Sequence, residues 1–210
     1  GCVMDTMNCK HFHCFGPCMV TEWGLEEWKD EILDRWNVIN LFSMTRGINR
    51  FKGLAMALGE ITKAAAAMGA IARDNFAKGC KQLVNYDPAL DDEIDADEDC
   101  LDRFTDESDN FLIGLSKVIE NEGEDRQLDM VMQTIPNFER IGDYATNLVE
   151  LGQKLKEDGS QLSEAALKEL DLIFAAVNEI LGITVEAFTN DDNALAQRIE
   201  PLEEVIDDMV

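Results

Sequence analysis

Basic residues are scarce in this sequence. Its 210 residues include 18 lysines and arginines against 43 aspartates and glutamates, which gives a formal net charge of −25 at pH 7. Nucleic acids are bound through clustered lysine and arginine side chains, and anionic membrane surfaces attract the same residues. The charge therefore predicts that no nucleic acid is bound, and it favours cations or basic proteins as partners.

Long apolar runs are lacking as well. The longest uninterrupted one, residues 64–72, is far shorter than the ~20 residues that a membrane-spanning helix needs. Met4, Asp5 and Lys10 interrupt the beginning of the sequence, so the basic-then-apolar order of a signal peptide does not appear. We therefore expect no transmembrane segment and a cytoplasmic or cytoplasm-facing location.

Proline and strand-like alternation are also rare. With only four prolines, long stretches are free to be helical, and apolar residues recur at steps of three, four and seven. Turn-forming residues separate these stretches at 85–88, 121–123, 158–160 and 190–193. We predict an all-α fold, an up-down antiparallel helical bundle with short connections. Pro136 lies inside one apolar pattern and is expected to bend or break that helix.

The first 52 residues differ in composition from the rest. Residues 1–20 form a Cys/His-rich leader that holds both histidines and four cysteines, and residues 21–52 hold all three tryptophans. The second stretch places apolar residues on one helical face and is predicted to be an additional amphipathic helical segment. We expect it to lie on the bundle, with a membrane interface as the alternative.

Cysteine and histidine crowd together in the leader. Cys9, His13, Cys14 and Cys18 could close a tetrahedral zinc site, with His11 as an alternative to His13. The spacing matches no established zinc-finger pattern, so a leader without metal is the competing interpretation.

An internal repeat appears when the sequence is shifted by 105 residues. Seven of eighteen ungapped positions are then identical, among them Asn85 with Asn190, Asp87 with Asp192, and Ile94 with Ile199. This similarity indicates a duplicated helical unit. We predict a three-helix repeat over residues 53–158 and a partial second repeat over residues 159–210, which lacks its third helix. The sequence is then truncated, or a partner supplies that helix.

Three pairs of the form Glu-x-x-x-Asp are the candidate metal ligands. They are Glu98 with Asp102, Glu139 with Asp143, and Glu203 with Asp207. This spacing places both carboxylates on one helix face, where like charges repel unless a cation neutralises them. The first two pairs occupy equivalent positions beside their apolar seams, so neighbouring helices would present four carboxylates at one edge. Such oxygen clusters suit iron, manganese, magnesium or calcium, and zinc is compatible. A solvated acidic face is the alternative.

The stretch Phe138–Asn147, with the sequence FERIGDYATN, resembles the PhoU family of phosphate-homeostasis proteins. The resemblance covers roughly residues 54–210. It implies two three-helix repeats whose E/D-x-x-x-D motifs bind multinuclear iron or zinc clusters. It also implies ligand roles for the acidic pairs: a first cluster with Glu98, Asp102, Glu139 and Asp143, one half of a second with Glu203 and Asp207, and Asn147 as a weaker candidate.

The resemblance implies a regulator of phosphate transport rather than an enzyme. Its expected partner is a phosphate transporter or sensor protein, and a homo-oligomer is compatible. PhoU-like domains also form the cytoplasmic part of Na/Pi cotransporters, so the partner could be the protein's own transporter membrane domain, at the cytoplasmic face of the membrane. Two alternatives are a metal-free acidic interaction module and a carboxylate-bridged metallohydrolase. A ferritin-like oxidase is disfavoured because the bundle region has no histidine.

Overall fold

The computed structural model describes residues 11–38 and 50–209, and these residues form helices and turns with no strand. The prediction of an all-α helical bundle is therefore confirmed. A π-helical turn at His11–Phe15 precedes the first α-helix, and 3₁₀ turns lie at Glu26–Trp28 and Pro88–Leu90. The α-helices are α1 (Gly16–Glu22), α2 (Lys29–Asn37), α3 (Arg50–Val84), α4 (Asp91–Ser116), α5 (Glu122–Glu157), α6 (Glu164–Asn190), α7 (Asn193–Ala196) and α8 (Ile199–Asp207).

The chain divides into two compact units. The first comprises Gly1–Thr62 with Asp106–Met132, and the second comprises Lys63–Thr105 with Gln133–Val210. Their boundaries fall inside α3, α4 and α5, so these units follow spatial contacts and not the internal repeat. The division into residues 1–20, 21–52, 53–158 and 159–210 stays a prediction.

In the first unit, the described N-terminal residues pack against α4. The Trp23 ring meets the Phe111 ring edge-on, with centroids 5.6 Å apart, and Leu25 is buried. Arg35 of α2 donates to Glu60 of α3 over 3.0 Å. These contacts fit a segment laid on neighbouring helices through residue 38. Residues 39–49 of the predicted amphipathic segment lie outside the described residues.

In the second unit, α3 and α5 approach each other closely. A Cβ atom added at Gly79 would lie 2.7 Å from the backbone oxygen of Ala145. Such a distance leaves no room for any side chain at residue 79, so the two helices pack backbone to backbone there. Helix α5 also meets α6, where the rings of Phe138 and Phe188 pack edge-on with centroids 5.7 Å apart.

The expected break at Pro136 does not occur, because α5 is helical from Glu122 to Glu157 with Pro136 inside it. Proline lacks the N–H that would donate to the carbonyl one turn earlier, which belongs to Met132. Met132 is an exposed residue, and an unpaired backbone carbonyl costs most where it is buried away from water. The missing donor is therefore tolerated without ending the helix.

Two helical stretches are long and apolar enough to cross a membrane by length and composition, Gly53–Val84 and Glu164–Asn190. Our expectation of no such segment used the length of uninterrupted apolar runs alone. Core helices of soluble proteins meet the same criterion, so this finding gives weak support for a membrane span.

Candidate metal centre

Three carboxylates from two helices converge in the second unit. Glu98 and Asp102 lie one turn apart on α4, and Asp143 lies on α5. One oxygen from each side chain lies within 4.8 Å of the others. Three acidic groups at this separation can bind one cation together.

The position of this cluster follows from the packing of the residues beside it. Leu101 is 1% exposed, and it packs against Gly142, where an added Cβ atom would lie 2.5 Å from the Leu101 Cδ1 atom. Because Gly142 has no side chain, α4 can approach α5 at this level. The next residue on α5 is Asp143, which is thereby brought to the acidic pair on α4.

The charges of the cluster oppose one another. Partial burial, together with the negative charges of Asp102, Asp99 and Asp143, raises the pKa of Glu98 above 4.5. A protonated Glu98 can also donate a hydrogen bond to Asp102, which contributes to the same rise in pKa. Within residues 11–38 and 50–209, no lysine or arginine forms an ion pair with Glu98, Asp102 or Asp143. A bound cation would supply the missing positive charge.

A second group of acidic side chains, at the contact of α3 with α4, already surrounds a lysine. The Lys78 ammonium of α3 lies 2.7 Å from Glu93, 2.8 Å from Asp97 and 3.0 Å from Asp74. Burial alone would lower the pKa of Lys78, but hydrogen bonds to Asp97, Glu93 and Asp74 raise it. We did not predict this network from the sequence, although the spacing of Asp74 and Lys78 was the available signal.

The remaining predicted ligands lie outside the three-carboxylate cluster. Glu139 is partly buried on α5, one turn before Asp143, and has an interaction of its own. Glu203 and Asp207 are exposed on α8, and Asn147 is exposed on α5. Among the described residues, neither Glu203 nor Asp207 belongs to a converging group of three possible ligands. Ligand roles for these four residues stay predictions.

The predicted zinc site falls partly outside the described residues. Cys9 lies in the undescribed stretch, whereas Cys14 and Cys18 are exposed free thiols. His13 is exposed and has a contact of its own. In the described part of the chain, the carboxylate cluster is the one group of possible ligand atoms that converges. Zinc binding by the leader therefore stays a prediction.

The ligand atoms of the cluster are all carboxylate oxygens, and this indicates which metals it can bind. Carboxylate oxygens are hard ligands that suit iron, manganese, magnesium and calcium, while zinc most often adds nitrogen or sulfur ligands. Three carboxylates leave coordination positions open for water, a bridging anion or a further ligand. The residues present therefore fit a carboxylate-bound metal.

Comparison with known proteins identifies the domain that carries this cluster. Residues 66–152 match the PhoU domain. This range includes most of α3, all of α4 and the part of α5 that bears Asp143. No curated protein and no solved structure matches the chain. The three converging carboxylates thus lie inside the segment of the chain that is similar to the PhoU domain.

Proposed function

We propose that this protein regulates phosphate transport and that its PhoU domain carries a metal cluster bound by carboxylates. The PhoU domain supports a role related to phosphate homeostasis. The metal is supported by one observation above all, the convergence of Glu98, Asp102 and Asp143 within 4.8 Å. The cluster would contain iron or zinc, with manganese, magnesium and calcium compatible with the same oxygens.

In this proposal one metal ion is bound by side chains of both α4 and α5 and so links the two helices. A cation that binds Asp143 together with Glu98 and Asp102 removes the repulsion between the two helices. Because the unfolded chain does not hold these side chains together, binding stabilises the folded state. Metal occupancy would thereby control the stability of the packing of α4 against α5, and with it the surface that these helices offer to a partner.

The partner in this proposal is a phosphate transporter or sensor protein, or a transporter membrane domain joined to the same chain. The protein would act in the cytoplasm, at the cytoplasmic face of the membrane where it binds a transporter. PhoU domains are in general regulatory and not enzymatic. We therefore propose that regulation occurs by binding and not by catalysis.

Metal analysis tests the first half of the proposal. Protein purified without chelators should contain a transition metal, and chelator-treated protein should take up iron, manganese or zinc on titration. Asp143→Asn should weaken that uptake at least about tenfold, because one of three charged ligands is lost. Glu150→Gln on the same helix, exposed and two turns away, is the matched control. Absence of metal before and after titration would favour the metal-free acidic interaction module.

Transport measurements test the second half. In a cell that lacks its own PhoU-type regulator, expression of this chain should lower phosphate uptake. Asp143→Asn should abolish most of that effect, and Glu150→Gln should retain it. Unchanged uptake would argue against regulation of transport. Phosphate-ester hydrolysis above that of a Glu139→Ala, Asp143→Ala double variant would instead favour the carboxylate-bridged metallohydrolase.

A further inference from the structure

Two cysteines near the beginning of the described chain are free and exposed to solvent. Cys14 lies in the π-helical turn His11–Phe15, and Cys18 lies four residues later in α1. The other cysteines that the structure describes are less accessible, since Cys80 is buried and Cys100 is partly buried. Neither exposed thiol belongs to the carboxylate cluster, which is formed by residues of α4 and α5.

The burial pattern of α1 places both thiols on one side of the helix. Gly16 and Val20 are buried, and residues four apart lie on the same face of a helix. Residue 18 is about half a turn from both of them and therefore lies on the opposite, solvent-facing side. Cys14 lies one turn before Cys18 on that side. Because side chains at this spacing have Cβ atoms ~5–6 Å apart, rotation of the two side chains can bring their sulfur atoms together.

The π-helical turn occurs at the residues that supply the first of these thiols. Turns of this kind are rare and are found frequently at functional sites. Their hydrogen bonds run from residue i to residue i+5, so one turn contains more residues than in an α-helix. Cys14 therefore remains on the same side of the backbone as Cys18.

The charge around the two thiols favours a cation as the ligand. Residues 11–28 contain three acidic side chains and no lysine or arginine. Thiolates in this stretch would have no basic neighbour along the sequence to neutralise them. A bound metal ion would supply that positive charge.

The number of ligand atoms indicates which metal ion fits. In the part of the chain that the structure describes, no third Cys, His, Asp or Glu joins Cys14 and Cys18 in a converging group. A structural zinc site has four ligands, so these two thiols alone do not form one. Thiolate sulfur is a soft ligand that selects monovalent copper. Monovalent copper has a closed electron shell and is stable with two ligands arranged in a line.

We propose that Cys14 and Cys18 bind one copper(I) ion between their two sulfur atoms. Each thiol loses its proton on binding, and the two thiolates coordinate the ion from opposite sides. The site differs from the predicted tetrahedral zinc site because it needs neither Cys9 nor a histidine. It also goes beyond the proposed function, since soft sulfur and hard carboxylate oxygen select different metals.

Anaerobic titration of the full chain with copper(I) tests the proposal. A coloured copper(I) chelator competes for the metal and reports the affinity, while ultraviolet absorption of the copper–sulfur bonds reports thiolate ligation. Cys14→Ser and Cys18→Ser should each weaken binding at least about a hundredfold, because a chelating pair is reduced to a single thiolate. Both residues are exposed, so circular dichroism should show the same helix content in the variants and the wild type.

A relocated thiol distinguishes a chelating pair from two independent thiols. The double variant Cys18→Ser, Thr21→Cys keeps the number of thiols constant, and residue 21 is exposed. Its two thiols are separated by ~10 Å along a helix, against ~6 Å in the wild type. One ion cannot bridge the longer distance, so this variant should bind as weakly as Cys18→Ser. Cys9→Ser and Cys100→Ser should retain the affinity of the wild type.

Three results would overturn the proposal. The first is wild-type affinity in the relocated variant, which would mean that copper(I) binds to any exposed thiol. The second is equal weakening by Cys9→Ser and Cys14→Ser. The third is the loss of one bound zinc ion in both of these variants on zinc titration, which would identify the tetrahedral zinc site instead. Because Asp143→Asn tests the carboxylate cluster and the cysteine variants test this site, each proposal can fail without the other.

Discussion

Two neighbouring groups of acidic side chains on α4 differ in what the adjacent helix contributes to them. Glu93 and Asp97 face α3, which supplies the Lys78 ammonium at 2.7 and 2.8 Å. Glu98 and Asp102 meet α5, which supplies another carboxylate, Asp143. The first group contains a cation that the protein itself supplies. In the second group the carboxylates repel one another, and the pKa of Glu98 is raised.

The difference shows what separates a structural acidic group from a candidate metal centre. In a chain with 43 acidic residues, neither spacing nor composition distinguishes the two. The neighbouring helix decides, since it contributes a cation in one case and an anion in the other. We therefore propose an external cation at the second group, whereas the Lys78 ammonium occupies the first.

Removal of the Lys78 ammonium should have the largest effect on stability. Lys78→Met leaves Asp74, Glu93 and Asp97 without their shared partner, and the Lys78 side chain is only 17% exposed. Since Asp74 and Glu93 are themselves largely exposed to solvent, we expect a loss of about 2 kcal/mol in the free energy of unfolding. Urea denaturation with a chelator present measures it.

Lys81→Met is the control for this change, because Lys81 lies on the same helix and is exposed. Its expected effect is within about 0.5 kcal/mol of zero. Equal losses in the two variants would show that the Lys78 network contributes nothing specific, and the comparison between the two acidic groups would fail.

The close approach of α4 and α5 should be the next most sensitive feature. Gly142→Ala places a methyl group 2.5 Å from Leu101 Cδ1, and we expect it to destabilise the protein by about 1–2 kcal/mol. Separation of the helices should also weaken metal binding, since Asp143 moves away from the pair on α4. Denaturation and metal titration on the same sample test both effects.

Gly59→Ala on α3 is the matched control, because an added Cβ atom there has no atom within 4 Å. Alanine is the better helix former, so this variant should gain roughly 0.5–1 kcal/mol. If Gly142→Ala also stabilised the protein, the packing of Leu101 on Gly142 would not be what positions the cluster.

The sequence predicted the helices well but not every irregularity in them. Apolar spacing identified the stretches that became α4, α5 and α6, because a helix needs one continuous apolar face to pack. The sequence allowed a bend or a break at Pro136, and α5 continues through it without a break, because propensity alone does not show how a packed helix tolerates one missing donor. Backbone exposure is a property of the packed structure.

The candidate site was predicted in part. The spacing of Glu98 and Asp102 and the motif around Asp143 indicated which side chains belong together, and the structure brings these three into one cluster. The structure places Glu139 outside it. The Lys78 network was missed because its ion pairs with Glu93 and Asp97 depend on the register of α3 against α4, which no local pattern reveals.

Single neutralisations should have opposite signs in the two acidic groups. Asp97→Asn weakens a charge-assisted hydrogen bond to Lys78 and should destabilise the metal-free protein by about 1 kcal/mol. Asp143→Asn removes repulsion and should stabilise it by roughly 0.5 kcal/mol. Thermal unfolding with a chelator present measures both values. Destabilisation by both substitutions would mean that the three-carboxylate cluster is already neutralised without a bound metal.

The smallest effect should be a dependence of stability on pH that originates at Glu98. Its pKa is raised above 4.5 in the folded protein, so the folded state binds the proton more tightly than the unfolded state does. The charged form therefore reduces stability at pH 7, and that reduction disappears as the pH falls through the raised pKa towards 4.5.

Glu98→Gln should accordingly be more stable than the wild type at pH 7 in chelator, by roughly a few tenths of a kcal/mol. This advantage should shrink as the pH is lowered to 4.5, whereas Glu150→Gln, which changes an exposed residue, should show no such trend. With metal added at pH 7 the order should reverse, because only the wild type retains all three ligands. An advantage that is the same at every pH would show that repulsion within the cluster does not affect Glu98.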